Sequence, residues 1–159
     1  MTVIVAIDPG LTGAMALYAT TAPDRVGVYD MPVVDGEINA HRLSAIIADW
    51  KPDLAIIEQV GPMPRDGVRQ AWRFSAAYTT ARVVVALLGI PVMMVTPASW
   101  KRAMKVAGGP AGKEECRALA LQMFPACSAS FARKRDQGRA EAALLARYAA
   151  IHTTRKEAA

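Results

Sequence analysis

Two carboxylates stand at the ends of strongly hydrophobic runs. Asp8 follows the run VIVAI at residues 3–7, and Glu58 follows the run LAII at residues 54–57. Short runs of branched apolar residues are typical of buried strands, so both acids are predicted at strand ends. A buried carboxylate costs several kcal/mol unless a cation, a proton or hydrogen-bond donors satisfy it. Two such acids brought together would therefore indicate a bound cation.

A third carboxylate, Glu141, opens the helical segment EAALLARY. The positions three, four and seven residues after it hold Leu144, Leu145 and Tyr148. Because these spacings fall on one face of a helix, Glu141 lies on the stripe that the helix must bury. Asp136 comes five residues earlier, in a predicted loop from which it could reach the same place. We therefore predict a catalytic and metal-binding cluster of Asp8, Glu58, Asp136 and Glu141.

A cluster of carboxylate oxygens is the ligand set that Mg²⁺ prefers, and Mn²⁺ can substitute for it. Neither His41 nor His152 lies near the acidic positions in the sequence, which disfavours zinc. Two such ions about 4 Å apart can activate a water molecule and stabilise the leaving oxygen of a phosphodiester. The pattern therefore predicts metal-dependent phosphodiester hydrolysis without a protein nucleophile.

Each acid also has a purely structural explanation. Asp8 could cap a Pro-Gly turn, and Asp136 could cap a helix. Glu58 could lie on the rim of the sheet, and Glu141 could be an acid that the helix dipole favours in a first turn. Taken singly, these explanations compete well, but the four acids together favour the metal site.

The elements that would position these acids alternate between strand and helix. Apolar or alternating runs predict an antiparallel meander of strands at residues 3–7, 13–18 and 25–31, followed by strands at 54–57 and 91–95. Helical periodicity predicts helices at residues 41–50, 66–88, 98–106, 113–124 and 140–151. This order predicts an α/β fold, in which helices flank both faces of a mixed sheet of about five strands.

Length and composition are those of a single globular domain. The chain has 159 residues, of which 53% are hydrophobic and 21% are charged. We predict one domain over residues 1–152 and a frayed tail over residues 153–159. The 19 Lys and Arg outnumber the 14 Asp and Glu and give a net charge of +5, which favours a polyanionic partner.

The cysteines and the hydrophobic runs predict a cytoplasmic location. Cys116 and Cys127 form no CxxC pair and are expected to be reduced thiols. The N-terminus has no basic region of the kind that begins a signal peptide, and Gly89 and Pro91 interrupt the longest apolar run. Secretion and membrane insertion are therefore not expected.

Three stretches carry the strand-end and helix acids, namely IDPGLTGAMALY, IIEQV and RAEAALLA. They resemble the acidic motifs of the RuvC family of Holliday-junction resolvases, within the RNase H-like nuclease superfamily. VTPASWKRAM and the helix that begins at Lys113 also fall in the family's order, so the resemblance spans nearly the whole chain. It implies that Asp8, Glu58 and Glu141 bind catalytic Mg²⁺, with two ions in the site. It also implies a homodimer that places symmetric nicks across a four-way DNA junction, in a bacterial cell or a phage-infected host.

Two positions depart from the family's pattern. The family commonly has an acid or a histidine three residues before the last carboxylate, where this chain has Gly138, so a fourth ligand is Asp136 or is missing. Resolvases of the bacterial type have an aromatic residue soon after the second acid, whereas this chain has GPM at residues 61–63. The candidates for the residue that wedges into the junction are Met63 and Trp72. The compact size and the altered loop favour a phage type.

Basic side chains form three groups near the acids. Each group could be an ordinary solvated surface, but a group that adjoins carboxylates would help to hold a DNA backbone against their repulsion. One group recurs every fourth residue of the helix predicted at residues 66–88. The predicted DNA-binding residues are Arg65, Arg69, Arg73, Lys101, Lys113, Lys134 and Arg139.

Other functions fit the sequence less well. The loop GGPAGKE lacks the first glycine and the Ser or Thr of a phosphate-binding loop, at Ala107 and Glu114, so no nucleotide cofactor is expected. The Asp8 motif also looks like the first phosphate motif of actin-like ATPases, which need two such domains. Two alternatives stay open: a nuclease acting on RNA–DNA hybrid or other branched DNA, and a non-catalytic junction-binding protein. The sequence favours a Mg²⁺-dependent endonuclease that resolves Holliday junctions in DNA recombination and repair.

Overall fold

A computed structural model describes residues 1–61 and 67–157 of the chain, with side chains as far as residue 153. In this part of the chain the strands are β1 (Val3–Ile7), β2 (Ala14–Ala19), β3 (Gly27–Asp30), β4 (Val33–Val34), β5 (Glu37–Ile38), β6 (Leu54–Glu58) and β7 (Val92–Val95). The helices are α1 (Ala40–Trp50), α2 (Val68–Leu87), α3 (Pro97–Ala103), α4 (Gly109–Met123) and α5 (Gln137–Glu157), with short 3₁₀ segments at Pro125–Phe131 and Lys134–Asp136.

Five of the strands form one mixed sheet in the order β3-β2-β1-β6-β7. The central strand β1 is antiparallel to β2 and parallel to β6, which is itself parallel to β7. The meander and the two later strands are therefore present as predicted. The mixed five-stranded sheet confirms the predicted fold class.

The small ribbon of β4 and β5 was missed from the sequence. Asp35 and Gly36 join its strands, and both have positive φ, at 52° and 78°. A two-residue turn with positive φ at both positions is the hairpin turn that an Asp-Gly pair favours. That dipeptide was the available signal for the ribbon.

Helices cover both faces of the sheet because the buried side chains of its strands alternate between two cores. Ile4 and Ala6 of β1 belong to the core that also contains α4 and α5. Val5 and Ile7 of the same strand belong to the core under α1 and α2. This period of two decides which face each residue beyond the strand end will meet.

The helix bounds differ from the predicted ones at several ends. Helix α3 stops at Ala103, and Lys105 then takes a left-handed φ of 58°, which a helix cannot continue. Helix α5 is longer than predicted at both ends and begins at Gln137. The predicted start of α2 lies partly outside the described residues. The domain boundary at residue 152 stays a prediction.

The glycine of the GK pair, which lies in the first turn of α4, has a packing role. A Cβ on Gly112 would lie 1.8 Å from the carbonyl oxygen of Ala107, so the loop closes on this position only with glycine. The same loop is held by the backbone N–H of Ala107, which donates to the Glu115 carboxylate at 2.7 Å. Close backbone approach therefore accounts for this glycine.

Across the described parts of the chain, no helix combines the length and the hydrophobicity needed to span a lipid bilayer.

Candidate acidic active site

Two of the predicted acids lie side by side where parallel strands end. Ile7 of β1 is in register with Ile57 of β6, so Asp8 and Glu58 occupy the next position of adjacent strands. Adjacent strands are about 4.8 Å apart. By alternation both side chains point to the face that α5 covers, because their neighbours Ile7 and Ile57 face the opposite core.

A tight turn after β1 holds Asp8 in place. The backbone N–H of Asp8 donates to the carbonyl of Ala14 at 3.0 Å, and that of Gly13 donates to the carbonyl of Gly10 at 2.9 Å. A Cβ on Gly13 would lie 2.2 Å from the backbone oxygen of Asp8, so this position accepts only glycine. The PGLTG stretch therefore fixes the backbone that carries the first acid.

Helix α5 carries the third acid, Glu141. It lies in the first turns of α5, and the residues next to it in the sequence, Ala140, Ala142 and Ala143, are buried against the sheet. Its side chain is 16% exposed, and its Oε1 is 2.8 Å from Nζ of Lys101, itself 15% exposed. Lys101, predicted as a DNA-binding residue, is therefore paired with one of the predicted metal ligands.

The three carboxylates perturb one another electrostatically. Burial, together with the charges of Glu58 and Glu141, raises the pKa of Asp8 to about 7. Burial also raises the pKa of Glu58, and the charge of Glu141 adds to the effect. Two strand ends and one helix thus bring Asp8, Glu58 and Glu141 within mutual electrostatic reach, as their positions in the sequence predicted.

Two adjacent residues of α3 supply donors to these carboxylates. Nε1 of Trp100 donates to Oε1 of Glu58 at 2.7 Å, and Lys101 donates to Glu141. Although burial of the ammonium works against it, the hydrogen bond to Glu141 raises the pKa of Lys101 above its usual range. Trp100 was not singled out from the sequence, because the contact joins residues 42 positions apart.

The donor set is the kind that hard divalent ions bind. It consists of three carboxylates, and the neighbouring Cys116 stays a neutral thiol because burial raises its pKa to about 12. Among the residues that the structure describes, no three His, Cys, Asp or Glu side chains are grouped as a ready metal site. Glu58 and Glu141 are instead bonded to Trp100 and Lys101, whose donors satisfy them.

Asp136 faces a different set of partners. Asp136 is 3% exposed, and its carboxylate accepts from Nε and a terminal nitrogen of Arg133, at 3.1 and 2.9 Å, and from the Arg133 backbone N–H. These bonds hold the pKa of Asp136 below its usual range. Arg139 approaches the same carboxylate at 3.7 Å. The structure therefore places the fourth predicted acid in an arginine network at the start of α5.

Steric contact explains why position 138 holds a glycine. A Cβ there would lie 2.8 Å from the carbonyl oxygen of Thr12 and 3.5 Å from Cα of Gly13. The first turn of α5 thus rests directly on the turn that carries Asp8. An acid or a histidine at position 138 would push these two elements apart.

The predicted basic residues are distributed around the acids. Arg69 and Arg73 line a groove of about 590 Å³ together with Gly10 and Thr12 of the Asp8 turn. Arg139 makes a bidentate ion pair with Asp30, with N···O distances of 2.7 and 2.6 Å. Lys113 and Lys134 are exposed, whereas Arg65 and the wedge candidate Met63 lie outside the described residues.

Comparison with solved structures gives the same fold, although no protein-family model and no curated protein matches the chain. T. thermophilus RuvC in complex with a Holliday junction substrate aligns with a TM-score of 0.65 at 19% identity, over 97% of this chain and 98% of that one. A second Thermus thermophilus RuvC structure gives 0.62 at 17% identity, over 96% and 97%. The yeast mitochondrial Holliday junction resolvase Ydc2 gives 0.49 at 12%, over 96% and 83%. The two RuvC alignments confirm an RNase H-like fold over nearly the whole chain.

Proposed function

We propose that this chain is a divalent-metal-dependent endonuclease that resolves four-way DNA junctions by paired, symmetric nicks. The observation that carries the proposal is the convergence of Asp8, Glu58 and Glu141 on one face of an RNase H-like sheet. The fold is that of a RuvC structure solved with a Holliday junction substrate. The net charge of +5 agrees with a nucleic-acid partner.

The three carboxylates are the proposed ligands of two Mg²⁺ ions, which Mn²⁺ can replace. When bound, such ions activate the attacking water and stabilise the leaving oxygen of the phosphodiester. The chain's own contribution is to hold Asp8, Glu58 and Glu141 in place and to exclude bulk water from their buried side. Asp136 would have to exchange Arg133 for an ion before it could join the set, so its proposed role is to fix the start of α5.

Lys101 links the acidic cluster to the DNA. Its ammonium offsets the negative charge of Glu141, which would otherwise repel a phosphate group. A divalent ion on Glu141 competes with this ammonium, so metal binding would free Lys101 to contact the DNA backbone. Lys113 and Lys134, both exposed, are proposed as further backbone contacts.

The N-terminal half of α2 is the proposed junction-binding surface. Arg69 and Arg73 lie in the groove beside the Asp8 turn, where they can pair with phosphates. Trp72 is 77% exposed and lines the neighbouring apolar groove with Val68 and Phe74. An exposed indole between arginines can stack on a base that the junction leaves unpaired. We therefore assign the wedge role to Trp72.

The C-terminal half of α2 is the proposed homodimer contact. Val83 and Leu87 are 49% and 83% exposed and lie four residues apart on one helix face. Val92 of the edge strand β7 is 42% exposed and lines the same groove as Val83. An exposed apolar surface of this kind suits packing across a two-fold axis, which symmetric nicking of a junction requires.

Replacing Trp72 should weaken binding to junctions selectively. Base stacking on an aromatic side chain contributes about 1 to 3 kcal/mol, so Trp72→Ala should raise the Kd for a four-way junction by about tenfold or more. The Kd for plain duplex, which offers no unstacked base, should change little. Fluorescence anisotropy with both substrates checks this, and Val34→Ala, at another exposed apolar residue, is the matched control. Equal losses on both substrates would contradict the stacking role.

Cleavage of end-labelled substrates tests the function as a whole. We expect wild-type protein in Mg²⁺ or Mn²⁺ to nick a four-way junction at paired positions and to leave plain duplex and RNA–DNA hybrid intact. Glu58→Gln removes one negative ligand and should abolish the nicks while junction binding persists. Preferential cleavage of the hybrid would move the protein to the RNase H type of activity. Junction binding with no cleavage in either metal would leave a non-catalytic junction-binding protein.

A further inference from the structure

A buried tryptophan donates a hydrogen bond into the acidic cluster. Trp100 is 1% exposed, and its Nε1 lies 2.7 Å from Oε1 of Glu58. The rest of the indole packs in the core that α4 and α5 share with the sheet. Packing alone would be met by any large apolar side chain, whereas the N–H group needs an acceptor when it is buried. The acceptor here is a proposed metal ligand.

The path of the chain explains how Trp100 reaches Glu58. Val95 of β7 pairs in register with Glu58, and its carbonyl accepts from the Gln59 backbone N–H at 2.7 Å. The chain then turns at once into α3, whose first turn is capped by the Thr96 side chain, an acceptor for the Ser99 backbone N–H. The indole of Trp100 therefore lies next to the end of β6, where Glu58 is located.

The indole N–H group of Trp100 is an uncharged donor, whereas the ammonium of the neighbouring Lys101 carries a positive charge. A lysine ammonium on a carboxylate competes with a divalent ion for the same negative charge. An indole N–H can fix one carboxylate oxygen by a hydrogen bond without adding a positive charge that repels the ion. Helix α3 thus supplies one displaceable cation, to Glu141, and one neutral donor, to Glu58.

We propose that Trp100 is a positioning residue for metal binding: its N–H group holds Oε1 of Glu58 and thereby presents the other carboxylate oxygen to the divalent ion. The inference rests on the proposed function of the same site. It concerns the orientation of a ligand, in the way that outer hydrogen bonds orient metal ligands in other proteins. Trp100 itself does not touch the ion or the DNA.

The experiment replaces the N–H group with the least change in shape. Site-specific incorporation of β-(3-benzothienyl)alanine at position 100 puts a sulfur in place of the N–H and keeps the bicyclic ring. Mn²⁺ titration calorimetry without DNA should then give a Kd about tenfold weaker than that of wild type, the lower end of the effect expected for outer partners of a ligand. The melting temperature of the metal-free protein is measured alongside, because loss of the donor to Glu58 should lower it as well.

Two further variants separate positioning from packing. Phe124→Leu removes volume from the same core without touching an acid, so it should lower the melting temperature and leave the Mn²⁺ Kd unchanged. Trp100→Phe should lower the melting temperature and also weaken Mn²⁺ binding about tenfold. In a Glu58→Gln background, the position 100 replacements should cause no additional loss of Mn²⁺ affinity, because the ligand that they orient is already altered.

The outcomes are distinct from those that test the function. Two results would overturn the positioning role alone. One is a benzothienyl variant that binds Mn²⁺ with wild-type affinity. The other is a loss of Mn²⁺ affinity on replacing Trp100 that is equally large in the wild-type and Glu58→Gln backgrounds. A wild-type protein that binds no Mn²⁺ would overturn the metal site and this inference with it. A tenfold loss that disappears in the Glu58→Gln background would support it.

Discussion

Asp8→Asn should lower the rate of junction cleavage by at least about a thousandfold, because it removes a proposed metal ligand that lies near both of the other carboxylates. Burial and the charges of Glu58 and Glu141 all act on Asp8, so both other carboxylates lie near it. A metal ion contributes several kcal/mol of transition-state stabilisation, and about 1.4 kcal/mol corresponds to a factor of ten in rate. Loss of this carboxylate should therefore remove most of the proposed catalysis.

Binding should respond in the opposite direction. Asp8→Asn removes a negative charge near the proposed path of the phosphate backbone, so junction affinity should stay the same or increase. Single-turnover cleavage and anisotropy on the same junction measure the two effects separately. Asp24→Asn, at an exposed acid outside the cluster, is the charge-matched control and should keep wild-type activity. Retention of more than about a tenth of the rate in Asp8→Asn would contradict the assignment of Asp8 as a metal ligand.

The metal-free protein should lose stability as the pH rises from about 4 to about 7. The Asp8 carboxyl has a folded-state pKa of about 7, against 3.8 in its unperturbed state. Between these values the folded chain binds more protons than the unfolded chain, so the free energy of unfolding falls with increasing pH. The full shift corresponds to a loss of up to about 4 kcal/mol, complete once the pH exceeds the folded pKa.

Asp8→Asn isolates this contribution because asparagine stays neutral at every pH. With EDTA present, urea unfolding from pH 4 to pH 8 should show the variant and wild type nearly equal at pH 4. At pH 8 the variant should be the more stable by up to about 4 kcal/mol. An excess of Mg²⁺ should reduce the difference, because a bound cation favours the ionised carboxylates. Parallel stability curves for the two proteins in EDTA would show that Asp8 titrates normally.

The opposing effects of one substitution follow from the same feature of the molecule. A cluster of carboxylates is useful to a nuclease because it binds cations, and it destabilises the metal-free fold because the acids repel one another. In the structure this repulsion is reduced by Trp100 and Lys101, the two donors from α3. The acidic site thus costs stability in the metal-free protein, and the proposed activity depends on it.

The local sequence pattern was sufficient to predict where the strands before Asp8 and Glu58 end and which face of α5 is buried. A hydrophobic run that ends in an acid is a short-range signal, and it located Asp8 and Glu58. Helical spacing located Glu141, since a residue's face on a helix depends only on its distance along the chain. The pairing of β1 with β6, which brings the two strand ends side by side, was not predicted and is a result of tertiary packing.

The partner of each charged or polar group depended on tertiary packing. Trp100 meets Glu58 across 42 positions and Lys101 meets Glu141 across 40, so no local pattern encodes either contact. Asp136 is the exception, because its partner Arg133 is only three residues away, in the 3₁₀ turn before α5. Gly138 owes its identity to the carbonyl of Thr12, far away in sequence. Periodicity follows from covalent geometry and can be read along the chain, whereas these contacts arise from how whole elements pack against one another.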